Sequence, residues 1–493
     1  MDFDLKTLGL AGAAGEKTDA LIVLVMPGSA PGKDLLSQLV AHAVKSGDLD
    51  AKPGSLLQAW RTAGVTAPRL LLAACGEGTG TQVRTAVQAA VSALRSSKVR
   101  RVTVWLPAQA GDDAVRAAVV AVADASYSYV TTKSKGEGRK IGHVLIGVAN
   151  ADGARQAFEQ AAATVKGIEL AKEWANRPPN HATPTHLGEA ARALAKAHGL
   201  ECEVLGPKEV AQLGMGSFMS VARGSEEPLR FIVLRYSGAS KNDAPVVLVG
   251  KGITFDTGGI SIKPAAEMDE MKFDMGGAAS VLGAFRAIAE LKPSINLVGL
   301  IPSCENMPDG RAVKPGDVVT SMSGQTIEIL NTDAEGRLIL CDALTYAERF
   351  KPKAVVDIAT LTGACVVALG SVRSGLFASD DDLAQALQAA GDAALDPCWR
   401  MPLDDEYAEG LKTNFADVAN VAGRAGGAVT AAKFLQRFTK AYPWAHLDIA
   451  GSAWKGGAAK GSTGRPVGLL VEFIMGQQGE PPTRTARKAA RRK

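Results

Sequence analysis

The sequence has few cysteines, no long apolar run and no strong excess of one charge. Its six cysteines are scattered and include no Cys-x-x-Cys pair, which excludes a zinc knuckle and is typical of thiols kept reduced in a cytosol. The apolar run at residues 20–26 is too short to span a membrane, and the first residues are acidic where a secretory signal would be basic. We therefore expect a cytoplasmic protein with no membrane partner.

Several common catalytic motifs are also missing. No Gly-x-Ser-x-Gly, His-Glu-x-x-His or Walker sequence occurs, and the six histidines show no metal-binding spacing. His446 lies in a strand pattern, so we interpret it as buried structure rather than as a ligand. The glycines of residues 76–80 lack the Gly-x-Gly-x-x-Gly spacing and the acidic partner of a dinucleotide loop, which favours a plain tight turn.

The net charge of +4 is small for this length, and much of the positive charge belongs to one end of the chain. Residues 483–493 hold six lysines and arginines and no acid, so the rest of the protein is close to neutral. From residue 479 onward the composition of Pro, Thr, Arg and Lys predicts a disordered tail. A solvated terminus is the simpler interpretation of these charges, and contact with nucleic-acid phosphates is the alternative.

The chain of 493 residues exceeds the length of about 250–300 at which a single core stops growing, so two or more domains are expected. The first third alternates short apolar runs with alanine-rich helical stretches, which predicts a largely parallel sheet with helices on its faces. The predicted strands are residues 20–26, 69–74, 101–106 and 143–148, and the predicted helices are residues 35–45, 83–94 and 113–126.

A long helical pattern from residue 153 to residue 174 stops at an Asn-Arg-Pro-Pro-Asn sequence, and a second α/β pattern follows. The fold class is therefore α/β with two α/β domains, the C-terminal one having a mixed or parallel sheet sandwiched by helices. The predicted segments are an N-terminal domain at 1–152, a linker helix and loop at 153–180, a C-terminal domain at 181–478 and the basic tail at 479–493. The predicted elements of the C-terminal domain are strands at 231–234, 246–249, 295–301, 326–330, 354–358 and 446–449, and helices at 278–291 and 338–350.

A first polar segment of the C-terminal domain follows the predicted strand at 246–249. It places Lys251, Asp256, Lys263 and Asp274 among glycines, which let the backbone approach a ligand closely. Ligands of open α/β sheets bind beyond the carboxyl ends of the strands. We therefore expect a binding site at this segment.

A second polar segment, Asn-Thr-Asp-Ala-Glu-Gly-Arg-Leu, occupies residues 331–338. If the preceding strand continues to the glycine, Asp333 and Glu335 point to one face, and Arg337 opens the following helix beside them. Four carboxylates that converged from the two segments would repel each other unless cations lay between them, and two divalent ions would balance the four charges. Carboxylates without thiolates suit Mn²⁺, Mg²⁺ or Zn²⁺.

A simpler interpretation of the same residues needs no metal. Asp and Glu beside glycine turns often serve only as helix caps and Asx-turns, and Lys–Asp pairs are often plain salt bridges. Spacing alone does not bring the two segments together in space, so both interpretations remain open at this point.

The two polar segments resemble the signature segments of the leucyl (cytosol) aminopeptidase family, as found in bacteria. The likeness covers nearly all of the chain from residue 174 to residue 473, whereas the N-terminal third matches the family in pattern only. The segments that carry it are residues 174–184, 252–259, 331–338, 357–364, 400–403 and 444–451.

The resemblance implies a two-metal aminopeptidase that releases N-terminal residues from peptides through a water whose pKa the metals lower. One metal would be bound by Asp256, Asp333 and Glu335. The other would be bound by Lys251, Asp274 and the same Asp256 and Glu335. Lysine can bind a metal only as the neutral amine, so a nearby dication has to lower its pKa far below the usual value of about 10.4.

The resemblance also implies roles for the remaining polar side chains and for the substrate pocket. Lys263 would polarise the carbonyl of the first peptide bond, and Arg337 would hold a bicarbonate that relays a proton to the leaving amine. An apolar pocket would favour leucine or methionine at the substrate N-terminus. Its lining residues would be Met271, Thr360, Leu361 and Gly363.

The family further implies Mn²⁺ or Zn²⁺ as the metal and a homohexamer of two trimers whose active sites face an inner cavity. Such a cavity would admit short peptides and exclude folded proteins. Some bacterial members of the family also bind DNA, so a DNA-binding regulator or architectural protein is the alternative function, with the tail at 483–493 as the source of phosphate contacts.

Overall fold

The structure is a computed structural model, which describes residues 1–28, 32–95 and 97–478. The predicted basic tail at 479–493 lies outside the described residues. The chain divides into two compact units, one at Met1–Val165 and one that starts at Lys166. A long helix, Ala151–Asn176, carries the chain from the first unit into the second. The four segment limits expected from the sequence stay predictions.

The first unit is a six-stranded sheet with helices between its strands, as the alternating sequence pattern predicts. The order along the sheet is β1-β6-β5-β2-β4-β3, and all neighbours are parallel except the antiparallel pair of β3 and β4. The elements are β1 (Asp2–Thr7), α1 (Leu10–Ala13), β2 (Ala20–Val25), α2 (Leu35–Ser46), β3 (Leu56–Trp60), β4 (Arg69–Ala74), α3 (Gly80–Leu94), β5 (Arg101–Trp105), α4 (Asp112–Ser126) and β6 (His143–Val148).

The sequence predicted the inner strands of this unit and missed the two at its edges. Every residue of β2 is buried, because a parallel strand in the middle of a sheet is covered on both faces and reads as a continuous apolar run. Strands β1 and β3 lie at the two edges and contain no fully buried residue, so they lack such a run. An edge strand therefore escapes a search for apolar runs.

The second unit contains the longer set of elements, and it shares helix α5 with the first unit, which ends at Val165. The helices are α5 (Ala151–Asn176), α6 (Pro184–His198), α7 (Pro207–Gln212), α8 (Gly216–Ala222), α9 (Gly276–Leu291), α10 (Gly336–Ala347), α11 (Gly363–Leu369), α12 (Asp381–Ala393), α13 (Gly427–Gln436) and α14 (Val467–Gly476). The strands are β7 (Glu201–Leu205), β8 (Arg230–Ser237), β9 (Val246–Gly250), β10 (Gly252–Asp256), β11 (Asn296–Asn306), β12 (Asp317–Thr320), β13 (Thr326–Ile329), β14 (Ala354–Ala359), β15 (Ser374–Ala378), β16 (Cys398–Arg400), β17 (Val418–Ala419), β18 (Trp444–Asp448), β19 (Trp454–Lys455) and β20 (Gly461–Ser462). Short 3₁₀ turns lie at Pro179–His181, Met268–Met275, Glu348–Phe350, Asp405–Leu411 and Gly457–Ala459.

The main sheet of this unit is mixed, which confirms the predicted fold class. Its order is β16-β15-β18-β14-β9-β11-β8-β7, and β10 pairs with the far end of β11. The central neighbours β18, β14, β9 and β11 are parallel, whereas β7, β8 and the pair of β15 with β18 are antiparallel. Helices α6, α9, α12 and α14 cover one face, and α8, α10 and α13 cover the other.

The parallel strands bring their carboxyl ends to one edge of the sheet. Strand β9 leads directly to Lys251, β10 ends at Asp256, and β14 leads to Thr360. Strand β11 runs five residues beyond the predicted end at residue 301 and finishes at Asn306. The ends of these strands form the floor on which the polar segments meet.

Within the described ranges, the structure contains no helix that is both long and apolar enough to cross a membrane.

Candidate metal centre

The side chain of Lys251 lies in a narrow slot between the end of β9 and the start of α10. Its backbone N–H donates to the carbonyl of Ile358 at 3.0 Å, which fixes the residue against β14. A Cβ atom on Gly336, the first residue of α10, would lie 2.7 Å from Lys251 Cε and 2.8 Å from Nζ. A larger residue at position 336 would therefore displace the lysine side chain from its present contacts.

Two lysines and four carboxylates form one connected cluster. The Lys251 ammonium lies 2.9 Å from Asp274 Oδ1 and 2.8 Å from Glu335 Oε1, and it also donates to the carbonyl of Thr360 at 2.9 Å. The Lys263 ammonium lies 2.8 Å from Asp256 Oδ2 and also contacts Asp333. Single ion pairs are common on protein surfaces. In this cluster, however, five of the six side chains are at least four-fifths buried.

The six charges of the cluster do not balance, because two ammonium groups face four carboxyl groups. Burial raises the pKa of Asp256 to about 6, and the negative charge of Glu335 adds to this effect against the opposing charge of Lys263. Burial also raises the pKa of Asp274 well above its usual range, although Lys251 acts against it. The cluster thus favours additional positive charge.

The two lysines stay protonated in this setting. Burial acts to lower the pKa of Lys251, but the charges of Asp274 and Glu335 outweigh it and raise the pKa above its usual value. The pKa of Lys263 is raised in the same way, with Asp256 as the largest opposing charge to burial. For Glu335, burial acts to raise the pKa, but the two lysines outweigh it and lower the value.

The carboxyl groups retain oxygens that can accept a metal. One buried oxygen on each of Asp274, Asp333 and Glu335 accepts no hydrogen bond from the described residues, although for the two aspartates a lysine ammonium lies close by. Ligand oxygens of Asp256, Asp333 and Glu335 lie within 4.8 Å of one another, as the binding of one ion requires. An all-oxygen set of this kind, with one amine beside it, fits a hard or borderline divalent cation.

Asp256 also forms an Asx-turn, which was the interpretation of this residue that needs no metal. The turn is compatible with a role as a metal ligand. Asp256 Oδ1 accepts the backbone N–H of Gly258 at 2.9 Å, which is an Asx-turn, and Gly258 has the left-handed φ of +89° that the turn requires. The same oxygen accepts from Asn306 Nδ2 at 2.8 Å. The turn and the amide orient the carboxylate, so that Oδ2 points to Lys263.

The expected continuation of the strand through Asp333 is wrong. Strand β13 ends at Ile329, and the chain then turns, because the side chain of Asn331 accepts the N–H of Asp333 at 2.9 Å. The side chain of Asn420 stabilises this turn by accepting from Leu330 N at 2.9 Å. A turn, rather than strand alternation, thus brings Asp333 and Glu335 to the same cluster.

Arg337 lies in the first turn of α10, as predicted, and its guanidinium is buried. It donates from Nη1 to the carbonyl of Asn420 at 2.9 Å, whereas its Nε is buried with no hydrogen-bond partner in the described part of the chain. Burial lowers the pKa of Arg337 to about 10, against the charges of Glu335 and Asp448, so the group remains a cation at neutral pH. A buried cation with a free donor fits an anion such as bicarbonate.

The four predicted pocket residues lie on two segments beside the cluster. Thr360 connects them to the carboxylates, because its hydroxyl donates to Asp274 Oδ1 at 2.6 Å. The backbone N–H of Leu361 donates to Asp448 at 3.2 Å, and Gly363 is the exposed first residue of α11. Met271 is half-buried in the 3₁₀ turn that also carries Asp274.

Three residues that support the site were not singled out from the sequence. Asn306 holds Asp256 in place, Asn420 holds the turn at residue 331, and Asp448 holds the loop at residue 361. Asn306 could have been found from its position at the carboxyl end of a strand parallel to β9. Asn420 follows the two-residue strand β17, and no sequence pattern indicates that it reaches the site.

His446 is buried structure, as predicted. It lies on β18 opposite Asp357, and its Nδ1 is 2.5 Å from the Asp357 carboxylate, which also accepts from Trp444 Nε1 at 2.7 Å. The imidazole stacks on Phe377 with ring centroids 5.8 Å apart. The pair of Asp357 and His446 therefore belongs to the core of the sheet.

The fold and the site define a class: a mixed α/β protein with a carboxylate-rich cation site beyond the ends of its parallel strands. The sequence model described as "Cytosol aminopeptidase family, catalytic domain" matches residues 169–471, and that of the N-terminal domain of the same family matches residues 29–136. The chain belongs to the cytosol aminopeptidase family, and it is a metal-dependent aminopeptidase and hence a peptide hydrolase.

Bacterial relatives match the chain over its whole length. A protein of Polaromonas sp. (strain JS666 / ATCC BAA-500) named "Probable cytosol aminopeptidase" is 68% identical, covering 100% of this chain and 97% of the relative. A protein of Acidovorax sp. (strain JS42) with the same name is 66% identical, covering 100% of this chain and 99% of the relative. These comparisons give no support to the alternative of a DNA-binding protein.

Proposed function

We propose that the protein releases apolar N-terminal residues, such as leucine and methionine, from short peptides by using two divalent metal ions. The observation that carries this proposal is the buried cluster in which four carboxylates face only two lysines, and in which Glu335 Oε2 has neither a hydrogen bond nor an ammonium contact among the described residues. Such a cluster would be costly to bury if it served the fold alone, because unpaired buried charge is strongly unfavourable.

The proposed ligands divide into two overlapping sets. Asp256, Asp333 and Glu335 hold one ion, a grouping supported by the separation of at most 4.8 Å between their ligand oxygens. Lys251 and Asp274 complete the second set together with the shared Asp256 and Glu335. Lys251, whose ammonium contacts two carboxylates and a carbonyl, would have to release its proton to solvent to become a ligand, because an ammonium has no lone pair to donate to a metal.

The bound ions supply a water of lowered pKa as the nucleophile. Lys263 remains a cation, because the carboxylates around it raise its pKa, and its side chain is 20% exposed. Its ammonium polarises the carbonyl of the first peptide bond and stabilises the negative charge that develops on the carbonyl oxygen. This role needs the positive charge and its position, and no covalent bond to the substrate.

Arg337 holds a planar anion, for which bicarbonate is the candidate. Its unpartnered Nε and its position in the first turn of α10 support anion binding, because the N-terminus of a helix adds partial positive charge. Arg337 would orient this anion, which would relay a proton to the leaving amine. The metal proposed is Mn²⁺ or Zn²⁺, both of which carboxylate ligands accept.

The proposed pocket for the N-terminal residue is lined by Met271, Thr360, Leu361 and Gly363. Met271 and the methyl group of Thr360 supply apolar surface, and Gly363 leaves space because it has no side chain. An apolar pocket of this kind discriminates modestly between aliphatic side chains, by roughly 10- to 200-fold per methylene group. Broad tolerance with a preference for leucine or methionine is therefore expected.

The proposed setting is a homohexamer in the cytoplasm. Exposed apolar residues on neighbouring segments support an interface between copies: Val367 on α11 is 88% exposed, Val372 is 70% exposed, and Trp399 is 52% exposed. The guanidinium of Arg373 lies 5.3 Å from the Trp399 ring and connects two of these segments. Light scattering on the purified full-length chain measures the number of copies, and a monomer at micromolar concentration would contradict the hexamer.

The experiment that tests the proposed function is hydrolysis of leucine p-nitroanilide. Protein that has been stripped with a chelator is compared with the same sample after Mn²⁺ or Zn²⁺ has been restored. Activity that disappears with the metal and returns with it supports the proposal. A folded protein that stays inactive both with Mn²⁺ and with Zn²⁺ would refute the proposal.

A further inference from the structure

A small hairpin packs against the turn that carries Met271 and Asp274. Its strands β19 and β20 pair Trp454 with Ser462 and Lys455 with Gly461. The turn it contacts is the 3₁₀ segment Met268–Met275. The proposed function gives this hairpin no role.

The strongest contacts come from Trp454. Its indole Nε1 donates to Glu270 Oε2 at 2.8 Å, and its ring stacks on Phe273 with centroids 5.7 Å apart and planes 13° from parallel. Glu270 and Phe273 are both buried, at 9% and 1% exposure. A buried carboxylate that loses a hydrogen-bond donor is destabilised, so this bond constrains the turn together with Lys460, whose ammonium lies 3.3 Å from the same carboxylate.

Further contacts hold the hairpin and the turn in one register. The Lys460 ammonium lies 2.6 Å from Asp269 and 3.3 Å from Glu270. A Cβ atom on Gly456 would lie 3.1 Å from Glu270 Oε1, so the hairpin backbone passes directly over this carboxylate. On the other strand, the N–H of Ser462 donates to Asn176 Oδ1 at 2.8 Å.

Asn176 connects the same two parts from the opposite side. Its carbonyl accepts from Lys272 Nζ at 3.3 Å, so the last residue of α5 contacts both the hairpin and the turn. The turn is thus held between the hairpin and the end of α5. A 3₁₀ segment has weak internal hydrogen bonds, and its position therefore depends on such outside contacts.

The sequence of the turn places these contacts next to the proposed functional residues. Glu270 directly precedes Met271, and Phe273 directly precedes Asp274. Each of the two residues that Trp454 touches is therefore adjacent in the chain to one residue that faces the substrate or the metal. A shift of the turn would move both together.

We infer that Trp454 is a positioning residue, which fixes the turn through Glu270 and Phe273 and thereby sets both the pocket for the N-terminal residue and the metal ligand Asp274. The inference rests on the proposed function, because it takes the roles of Met271 and Asp274 from there. Trp454 itself does not have to touch either substrate or metal.

The test uses variants that separate the hydrogen bond from the stacking. Trp454→Phe keeps an aromatic ring on Phe273 and removes the donor to Glu270. Glu270→Gln keeps an oxygen that can accept from Trp454, whereas Glu270→Ala removes it. Trp60→Phe is the matched control, because it makes the same change at a tryptophan that is 63% exposed and lies in the first unit.

Two measurements are made on the full-length chain. Calorimetric titration with Mn²⁺ of chelator-stripped protein gives the affinity of each site, and steady-state hydrolysis of leucine and alanine p-nitroanilide gives kcat and KM. In Trp454→Phe and Glu270→Ala, the affinity of the weaker Mn²⁺ site is expected to fall roughly tenfold. The KM for the leucine substrate is expected to rise several-fold in both variants, and kcat is expected to change less than KM. Glu270→Gln and Trp60→Phe are expected to stay close to the wild type.

Each outcome bears on one of the two ideas. Wild-type Mn²⁺ affinity and KM in a folded Trp454→Phe variant, or a Glu270→Gln variant as impaired as Glu270→Ala, would overturn the positioning role. A wild-type protein that neither binds Mn²⁺ nor hydrolyses the substrate would overturn the proposed function instead, and this inference with it. Thermal melting of each variant confirms that the fold is retained.

Discussion

The two units of this chain have the same kind of architecture, but only one of them buries charge. Among the described residues up to 150, Thr103 is the one buried polar side chain. The second unit buries Lys251, Asp256, Asp274 and Glu335 at 2–6% exposure, together with further acids and Arg337. Burying charge is costly, and the first unit shows that an α/β sheet folds without it. The buried charge of the second unit therefore marks that unit as the one with a chemical task.

The helix N-termini of the two units show the same contrast. In the first unit, the backbone N–H of Gly80 at the start of α3 donates to the Asp113 carboxylate at 2.7 Å. The protein thus fills this position with its own anion, and the preceding residues form the plain tight turn that the sequence predicted, with left-handed φ at Gly76 and Gly78. At the start of α10, Arg337 instead keeps a buried donor without a partner among the described residues.

The comparison predicts the largest effect for Asp256→Ala. This change removes a proposed ligand of both metals, so we expect metal content to fall and kcat/KM to decrease by about a thousandfold or more. Mass spectrometry of bound metal and hydrolysis of leucine p-nitroanilide measure the two effects. Unchanged metal content in this variant would refute the bridging role.

A loss of about 10²- to 10³-fold in kcat is expected for Lys263→Ala, because the cation acts on the charge that develops in the transition state. Both metals should stay bound, since Lys263 is not a proposed ligand. The same two assays separate this variant from Asp256→Ala. Near-normal turnover would remove Lys263 from the mechanism.

A smaller effect, on stability rather than on turnover, is expected for Asp357→Asn in the core of the second unit. Removing one partner of a buried charged pair costs about 3 kcal/mol. Burial acts to lower the pKa of His446, but the charge of Asp357 outweighs it and raises the pKa above the ordinary 6.5.

The raised pKa has a defined consequence for pH dependence. The stabilisation from His446 is fully present below pH 6.5 and is lost as the pH rises through the raised value. Thermal melting from pH 6 to pH 9 should show this decrease in the wild type and a weaker one in Asp357→Asn. A steeper decrease in the variant would contradict the assignment of the pair.

The smallest effect is expected for Asp113→Ala in the first unit. Loss of the carboxylate at the start of α3 should lower stability by about 1 kcal/mol, as for other helix N-terminal contacts. Metal content and kcat should not change, because the first unit supplies none of the proposed ligands. A metal-free or inactive Asp113→Ala protein would break the contrast between the two units.

The sequence predicts the interior of this fold better than its edges, and the chemistry of the site better than its geometry. Strands β2 and β9 are apolar along their length and β4 is apolar after Arg69, so composition alone finds them, whereas β1 and β3 are half-exposed and are missed. The acids of the site stand out because they interrupt an apolar domain beside glycines. Their convergence depends on Asn420, which contacts the turn at residue 331 from 89 residues away, and no local pattern encodes such a contact.

The slot that holds Lys251 also constrains how this protein can change over evolution or in a mutant library. A Cβ at residue 336 would lie only 2.7 Å from the lysine side chain. The residues at positions 336 and 251 are therefore coupled, although they are 85 positions apart. Random substitution at either position is expected to produce almost no working descendants. Because Lys251 is also a proposed metal ligand, a compensating change at residue 251 would not restore activity, so both positions are expected to stay fixed.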